Sequence, residues 1–297
     1  MDYYMRSVFG KKACKVPIDG GFTCPNRDGS KGIGGCTFCS ERGSGDFTAG
    51  REYGISEQID IGAEMMRRKW KDAALIPYFQ SFTNTYAPLK VLKERFSEAL
   101  SHPLASGICI ATRPDCITDE TAEYLHSLAS EHFVMLELGL QTIHDITAEK
   151  FNRCYTFDEF LKGYEKVSDL FTCIHLINGL PGENREMMLE SAEVIGRLHP
   201  KAVKLHLLHV LEGTALAEEY KSGKYQPMRR EDYISVVCGQ LELLPPETVI
   251  ERVTGDGAIG NLLAPLWSTK KLTIQNDIDK ELFKRNSFQG IKYRKFP

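Results

Sequence analysis

Residues 14–39 read CKVPIDGGFTCPNRDGSKGIGGCTFC, in which a short apolar run leads into a loop rich in glycine and cysteine. The apolar run over 14–19 is typical of a buried β-strand. The loop that follows carries Cys24, Cys36 and Cys39, a C-x11-C-x2-C spacing. In parallel α/β proteins, active-site residues collect in the loops that follow the strands. The sequence therefore predicts a chemically active loop directly after the first strand.

Beyond this loop, short apolar runs alternate with longer amphipathic segments along most of the chain. Further strands are predicted over 74–80, 107–112, 133–140, 171–177 and 202–208. Helices are predicted between them over 55–70, 88–101, 118–130 and 184–198, with another beginning at Thr156. Strands that alternate with helices imply parallel strands joined by right-handed crossovers. The pattern does not distinguish an open doubly wound sheet from a barrel.

The alternation loosens after Leu211. Helices are predicted over 212–222 and 229–244, and a strand over 247–253. We therefore predict a core over residues 1–215 and a C-terminal elaboration over 216–297 that packs on this core.

The composition is that of an ordinary globular protein, with 297 residues, 42% hydrophobic, 26% charged and a formal net charge of −3. This charge gives no electrostatic case for a general nucleic-acid binder. The C-terminal end is locally basic, at Lys284, Arg285, Lys292, Arg294 and Lys295, although such ends are commonly solvated. No run near the start resembles a signal peptide, and none approaches about eighteen apolar residues. We therefore expect a cytoplasmic protein with no membrane partner.

Nine cysteines are many for a cytosolic protein, whose thiols stay reduced. Three of them lie inside apolar runs and are interpreted as small buried side chains: Cys109, Cys173 and Cys238. Three others have no assignment from the pattern: Cys14, Cys116 and Cys154. The remaining three are those of the loop.

Three thiolates in one glycine-rich loop can hold a single metal centre, because glycine allows the backbone to approach closely. A structural zinc site uses four protein ligands, and an electron-transfer cubane normally uses four cysteines. Three cysteines would leave one iron open to a small molecule. Two other interpretations remain. One is a zinc-stabilised RNA-binding or scaffold protein, with a distant fourth ligand such as Cys14 or a histidine. The other is a redox-sensing dithiol of Cys36 and Cys39.

The cysteine loop resembles the cluster motif of the radical S-adenosylmethionine (SAM) superfamily. Its long first gap is similar to that of the Elongator catalytic-subunit subgroup, and the phrases DGGFTCPNRDG and GGCTFC resemble a bacterial YtqA/YhcC-like branch. The resemblance covers nearly the whole chain. Further segments that carry it are YFQSFTNTY (78–86), ATRPDC (111–116), ELGLQT (137–142), NGLPG (178–182) and KLHLLH (204–209).

This resemblance implies an α/β fold, a partial (βα)6 TIM-like barrel with a C-terminal extension. It implies a 4Fe-4S cluster held by Cys24, Cys36 and Cys39, with SAM bound to the open iron and cleaved reductively to a 5′-deoxyadenosyl radical. By analogy with the Elongator-like subgroup, the expected substrate is a transfer RNA base or another macromolecule. The expected reductant is a flavodoxin or ferredoxin.

The resemblance also suggests residues that bind SAM, whereas catalytic residues are not predicted. These residues are Gln80, where relatives carry a Gly-Gly-Glu-like motif, Thr112 for the ribose, Gln141, Arg153 for the carboxylate, and His175. Two structural alternatives stand beside them. Arg113 and Asp115 would pair with each other, and Arg153 would be an exposed helix-cap residue. Buried Glu137 is expected to be paired, because an unpaired buried carboxylate is costly.

Overall fold

The computed structural model describes residues 1–255 and 260–294. The chain forms two compact units. The first unit comprises residues 1–33, 42–139 and 158–172, and the second comprises residues 34–41, 140–157 and the chain from Cys173 onward. The predicted boundary between residues 215 and 216 stays a prediction. Lys295, from the basic end of the sequence, lies outside the described residues.

Strands and helices alternate along the chain. The strands are β1 (Ala13–Ile18), β2 (Ala74–Phe79), β3 (Ile108–Thr112), β4 (Val134–Gln141), β5 (Phe171–Asn178), β6 (Ala202–Leu207), β7 (Val210–Leu211), β8 (Val249–Arg252) and β9 (Leu262–Ala264). The helices are α1 (Asp2–Phe9), α2 (Ile55–Lys69), α3 (Leu89–Leu100), α4 (Asp119–Glu131), α5 (Asp145–Lys150), α6 (Phe157–Glu165), α7 (Arg185–Arg197), α8 (Ala215–Lys221), α9 (Arg230–Leu243) and α10 (Lys271–Lys284).

In the first unit, β1, β2, β3 and β4 form a parallel sheet in that order. Helices cover one face of this sheet. A Cβ atom at Gly62 of α2 would lie 2.2 Å from Val16 Cγ1, and the ring of Phe96 in α3 packs 5.0 Å from that of Phe79. Because side chains alternate along a strand, Lys15 therefore projects from the opposite face.

That opposite face carries polar side chains. The carboxylate of Glu137 is fully buried and accepts hydrogen bonds from the Lys15 ammonium and the Tyr78 hydroxyl. The Cys109 thiol lies 3.5 Å from Glu137 Oε1. Glu137 is therefore paired, as its burial requires.

The second unit contains the parallel strands β5, β6 and β8 and the antiparallel pair of β7 and β9. A hydrophobic cluster packs beside them, and its members include Phe151, Leu180, Leu208 and Leu216. The partly buried side chains of Cys36 and Phe38 pack against this cluster. The hydrophobic cluster therefore anchors one part of the cysteine loop.

The predicted strands are confirmed to within two residues at each end. Two predicted helix starts are capped as side-chain chemistry suggests, by Thr118 on the Thr121 amide and by Asn184 on the Met187 amide. Helices α1 and α5, of eight and six residues, were not predicted. Cys109, Cys173 and Cys238 are fully buried, as predicted. Within the described residues, no helix combines the length and the apolar character that a membrane span requires.

Candidate functional site

The cysteine loop leaves the carboxyl end of β1, as predicted. Cys24 belongs to the first unit, and Cys36 and Cys39 belong to the second. The side chains of all three are partly buried. The Cys39 amide donates to the Cys36 carbonyl over 2.9 Å, so this pair closes a tight turn. Gly34 and Gly35 lead into the turn with φ of 81° each, which glycine adopts without strain.

The side chains around Cys24 are strongly polar. One Arg113 nitrogen lies 4.0 Å from Cys24 Sγ and also donates to the Asn26 side-chain oxygen. The other guanidinium nitrogens hold Asp115 at 3.0 and 2.8 Å, and Lys31 bonds the same carboxylate at 2.7 Å. Burial alone would raise the pKa of Asp115, but Arg113 and Lys31 outweigh this effect and lower it. The predicted pairing of Arg113 with Asp115 is confirmed.

The part of the loop around Cys36 is held by backbone contacts within the second unit. The Thr37 amide donates to the Phe151 carbonyl over 3.0 Å, and the Leu216 amide donates to the Thr37 carbonyl over 2.9 Å. The rings of Phe38 and Phe151 lie 5.3 Å apart. The Asn152 side chain donates to the Gly35 carbonyl over 2.8 Å.

The segment after β2 contains two polar atoms that the sequence did not single out. The Asn84 amide nitrogen donates to the Phe79 and Ala111 carbonyls at 3.0 and 2.7 Å, which fixes the orientation of the amide. Its oxygen is thereby left as a buried acceptor with no hydrogen-bond partner in the described part of the chain, and Ser81 Oγ is in the same situation. The predicted residue Gln80 donates to the Ser44 carbonyl over 2.8 Å.

Thr112, at the end of β3, is already hydrogen-bonded. The Thr85 hydroxyl donates its proton to the Cys116 carbonyl over 3.0 Å. In the 2.6 Å hydrogen bond between the Thr85 and Thr112 hydroxyls, Thr112 is therefore the donor. Thr112 Oγ1 also accepts from the Thr85 amide at 3.3 Å. A ribose contact from Thr112 stays a prediction.

Gln141 ends β4 with φ of 68°, a left-handed conformation uncommon for residues other than glycine. Strained backbone of this kind collects at functional sites. Across residues 1–255 and 260–294, no hydrogen bond of the Gln141 side chain is found. The predicted contact between Gln141 and SAM stays a prediction.

Arg153 is 1% exposed, so the alternative of an exposed helix cap is wrong. Its guanidinium donates to the carbonyls of Leu140, Thr142 and Tyr155 at 2.7, 2.6 and 2.9 Å, and pairs with Asp145 at 3.0 Å. This network fixes the chain that follows β4. The predicted contact between Arg153 and the SAM carboxylate stays a prediction.

His175 lies on β5 with its ring 5.3 Å from that of His206 on β6. Farther along, burial and the nearby charges of Lys271 and Arg252 lower the pKa of His209 to about 4. His209 is therefore neutral at physiological pH. The predicted contact between His175 and SAM stays a prediction.

The chemistry of the donors fits an iron–sulfur cluster and SAM. Cys24, Cys36 and Cys39 offer soft sulfur ligands, and the Asn84 oxygen and Ser81 hydroxyl offer buried acceptors to an ammonium group. In the described parts of the chain, no three His, Cys, Asp or Glu side chains already stand in a metal-binding arrangement.

Comparison with known sequences shows the family. Residues 24–195 match the model of the Radical SAM superfamily, and residues 200–284 match the Radical_SAM C-terminal domain. The chain is 45% identical to protein YtqA of Bacillus subtilis, over 98% of this chain and 91% of that protein. It is 35% identical to protein YhcC of Escherichia coli, over 92% of this chain and 88% of that protein.

Comparison with solved structures confirms the predicted α/β fold of the radical SAM type. The archaeal Elp3 of Methanocaldococcus infernus has a TM-score of 0.69 and 18% identity, covering 93% of this chain and 64% of that chain, so this protein spans less than two thirds of it. Methylornithine synthase (PylB) has a TM-score of 0.54 and 17% identity, covering 83% and 66%. From the family model and from relatives that match along nearly its whole length, the chain belongs to the radical SAM superfamily.

Proposed function

We propose that this protein is a radical SAM enzyme that holds a 4Fe-4S cluster on Cys24, Cys36 and Cys39 and modifies a base of transfer RNA. The observation that carries the enzymatic part is the loop of three cysteines directly after β1, in a chain of this family. When bound, the reduced cluster supplies one electron that cleaves SAM to methionine and a 5′-deoxyadenosyl radical.

The residues of this chain would bind and orient the cofactor. The Asn84 oxygen and the Ser81 hydroxyl would accept hydrogen bonds from the SAM ammonium. Both are buried and have no hydrogen-bond partner among the described residues. Gln141 would contribute a further polar contact at the end of β4. Arg113 would place positive charge 4.0 Å from Cys24 Sγ.

The proposal of an RNA substrate is supported by relatives. A protein of Methanocaldococcus jannaschii called tRNA uridine(34) acetyltransferase is 29% identical over 55% of this chain, but this chain spans only 30% of that protein. Its full reaction is therefore not carried over. A low-potential flavodoxin or ferredoxin would supply the electron.

Anaerobic purification and SAM turnover test the enzymatic proposal. We expect a brown protein that forms 5′-deoxyadenosine when SAM and a strong reductant are added. Cys24→Ala, Cys36→Ala and Cys39→Ala should each abolish colour and SAM cleavage, whereas the buried Cys109→Ala should retain both. Colourless protein with stoichiometric zinc would instead support a zinc-stabilised RNA-binding or scaffold protein.

Nucleoside mass spectrometry tests the proposed substrate. Transfer RNA from a strain lacking this protein should lose one modified nucleoside, and the wild-type gene should restore it. A C24A gene should fail to restore the nucleoside, because it removes one cluster ligand. Identical nucleoside profiles in all strains would refute the RNA proposal and leave the enzymatic one standing.

A further inference from the structure

We propose that residues 151–155, here called the clamp segment, position the Cys36 part of the cluster loop, with Asn152 as the positioning residue. This inference rests on the proposed function, because it concerns how the cluster is retained. It assigns a role to side chains that hold the loop without being ligands themselves.

The first observation is that the clamp segment bonds the loop on both sides of Cys36. On one side, the Asn152 side-chain nitrogen donates to the Gly35 carbonyl over 2.8 Å. On the other side, the Phe151 carbonyl accepts from the Thr37 amide over 3.0 Å. Two bonds on the immediate neighbours of Cys36 restrict the position of its backbone, and therefore of its thiol.

The second observation concerns the orientation of the Asn152 amide. The Cys154 thiol lies 3.0 Å from Asn152 Oδ1, so the oxygen end of the amide accepts from the thiol and the nitrogen end faces Gly35. The backbone of Asn152 has φ of 60°. Asparagine tolerates this left-handed conformation better than most residues, so position 152 combines a permitted backbone with a needed donor.

The third observation is that the clamp segment is fastened to the chain around Gln141, within its own unit. Buried Arg153 ties it to the carbonyls of Leu140 and Thr142, on either side of Gln141 at the end of β4. A charged donor on buried carbonyls is a strong anchor. The Asn152 amide therefore extends from a rigid base, which a positioning residue requires.

Loss of the Asn152 donor should loosen the Cys36 corner of the cluster without unfolding the protein. Groups that orient metal ligands typically change metal affinity by about 10- to 100-fold when removed. Asn152→Gly keeps the left-handed backbone and removes only the amide. Asn152→Asp keeps the size but places a second acceptor against the Gly35 carbonyl, so its effect should be larger.

The test uses full-length protein reconstituted anaerobically with iron and sulfide. Transfer of iron from the cluster to a chelator should be about tenfold faster in Asn152→Gly, and faster still in Asn152→Asp. The electron paramagnetic resonance signal of the reduced cluster should broaden in both variants. The melting temperature of the metal-free protein should match that of a control, Asn286→Gly, which alters a left-handed asparagine after α10.

Each outcome decides a different question. Wild-type rates and spectra in both Asn152 variants would refute the clamp while leaving the proposed function intact. A lowered melting temperature of metal-free Asn152→Gly, relative to Asn286→Gly, would also refute it, because the residue would then merely support the fold. Wild-type protein that takes up no cluster would refute both proposals.

Discussion

Asn84 and Ser81 illustrate what single side chains contribute beyond the motif that contains them. The sequence places both in the segment after β2, but polarity alone does not reveal whether a donor or acceptor is already used. The structure shows that Asn84 gives both amide protons to carbonyls and keeps its oxygen, and that Ser81 has a buried hydroxyl oxygen with no acceptor or donor opposite it among the described residues. Such atoms are costly unless a ligand satisfies them.

Ser81→Ala separates ligand binding from stability. Because Ser81 Oγ makes no hydrogen bond to the described residues, its removal should leave the free energy of unfolding of the ligand-free protein within about 0.5 kcal/mol of wild type. The dissociation constant for SAM, measured by equilibrium dialysis on cluster-loaded protein, should rise about fivefold, as expected for a lost hydrogen bond of about 1 kcal/mol.

The matched control is Ser268→Ala, which removes a buried hydroxyl that donates to the Pro265 carbonyl over 2.8 Å. That change should lower stability by about 1 kcal/mol and leave SAM binding unchanged. Unaltered SAM affinity in Ser81→Ala would show that the ammonium binds elsewhere.

Glu137 is the residue whose loss should most damage the first unit. Glu137→Ala removes the carboxylate that Lys15 and Tyr78 bond inside the protein. Breaking a buried ion pair on one side typically costs about 3–5 kcal/mol. Urea denaturation should show this loss, whereas Glu64→Gln, at an exposed pair with Arg68, should change stability by less than about 0.5 kcal/mol. Equal stability of the two variants would contradict the assigned pairing.

Glu183, in the turn between β5 and α7, should make the stability of the protein depend on pH. Burial raises the pKa of Glu183 to about 7, although the Thr142 hydroxyl bond and the nearby His144 charge lower it. Between pH 4.5 and about 7, the Glu183 carboxyl group is deprotonated in the unfolded chain and protonated in the folded chain. Stability should therefore fall as pH rises through this range, and stay level above it as far as this group is concerned.

Glu183→Gln should remove that dependence. Denaturant unfolding at pH 5 and at pH 8 gives the change in the free energy of unfolding between the two values. That change should be more favourable for the variant than for wild type by on the order of 2–3 kcal/mol. The exposed Glu186→Gln, in the first turn of α7, provides the control and should follow wild type. Parallel pH profiles for Glu183→Gln and wild type would show that the raised pKa is absent.

The elements themselves were predictable where physical signals are local. Strand β2 is a continuous apolar run, and α4 and α7 begin at side chains that cap their amides. The partners of Arg153 were not predictable, because its three carbonyl acceptors become available only through the turn of the chain after β4. A sequence shows that an arginine is present, but not which oxygens the folded backbone offers to it.

For the whole molecule, the elements β8 and α9 after residue 215 belong to the second unit. β8 pairs with β6, and the amides of Asn178 and Gln240 exchange two hydrogen bonds of 2.8 Å. Gly239 of α9 packs so closely on Leu189 of α7 that a Cβ there would lie 2.7 Å from Leu189 Cδ2. β8 and α9 therefore complete the hydrogen bonding and packing of β6 and α7.

A protein truncated after residue 215 should consequently fail to fold. Loss of β8 and α9 would expose the backbone of β6 and the apolar side of α7, which promotes aggregation. Far-UV circular dichroism and the soluble fraction after expression measure this outcome against the full chain. A soluble, cooperatively unfolding fragment of residues 1–215 would instead support an independent core.

The absence of a side chain at Gly62 affects the position of the strand that precedes the cysteine loop. The backbone of α2 packs directly against Val16, and a methyl group at position 62 would clash with this side chain and push the helix and the strand apart. β1 ends at Ile18, shortly before the cysteine loop. A displacement of β1 by the added methyl group would therefore also displace the start of the loop. The position of Cys24 thus depends in part on the absence of a side chain at Gly62, on a helix that bears no cysteine.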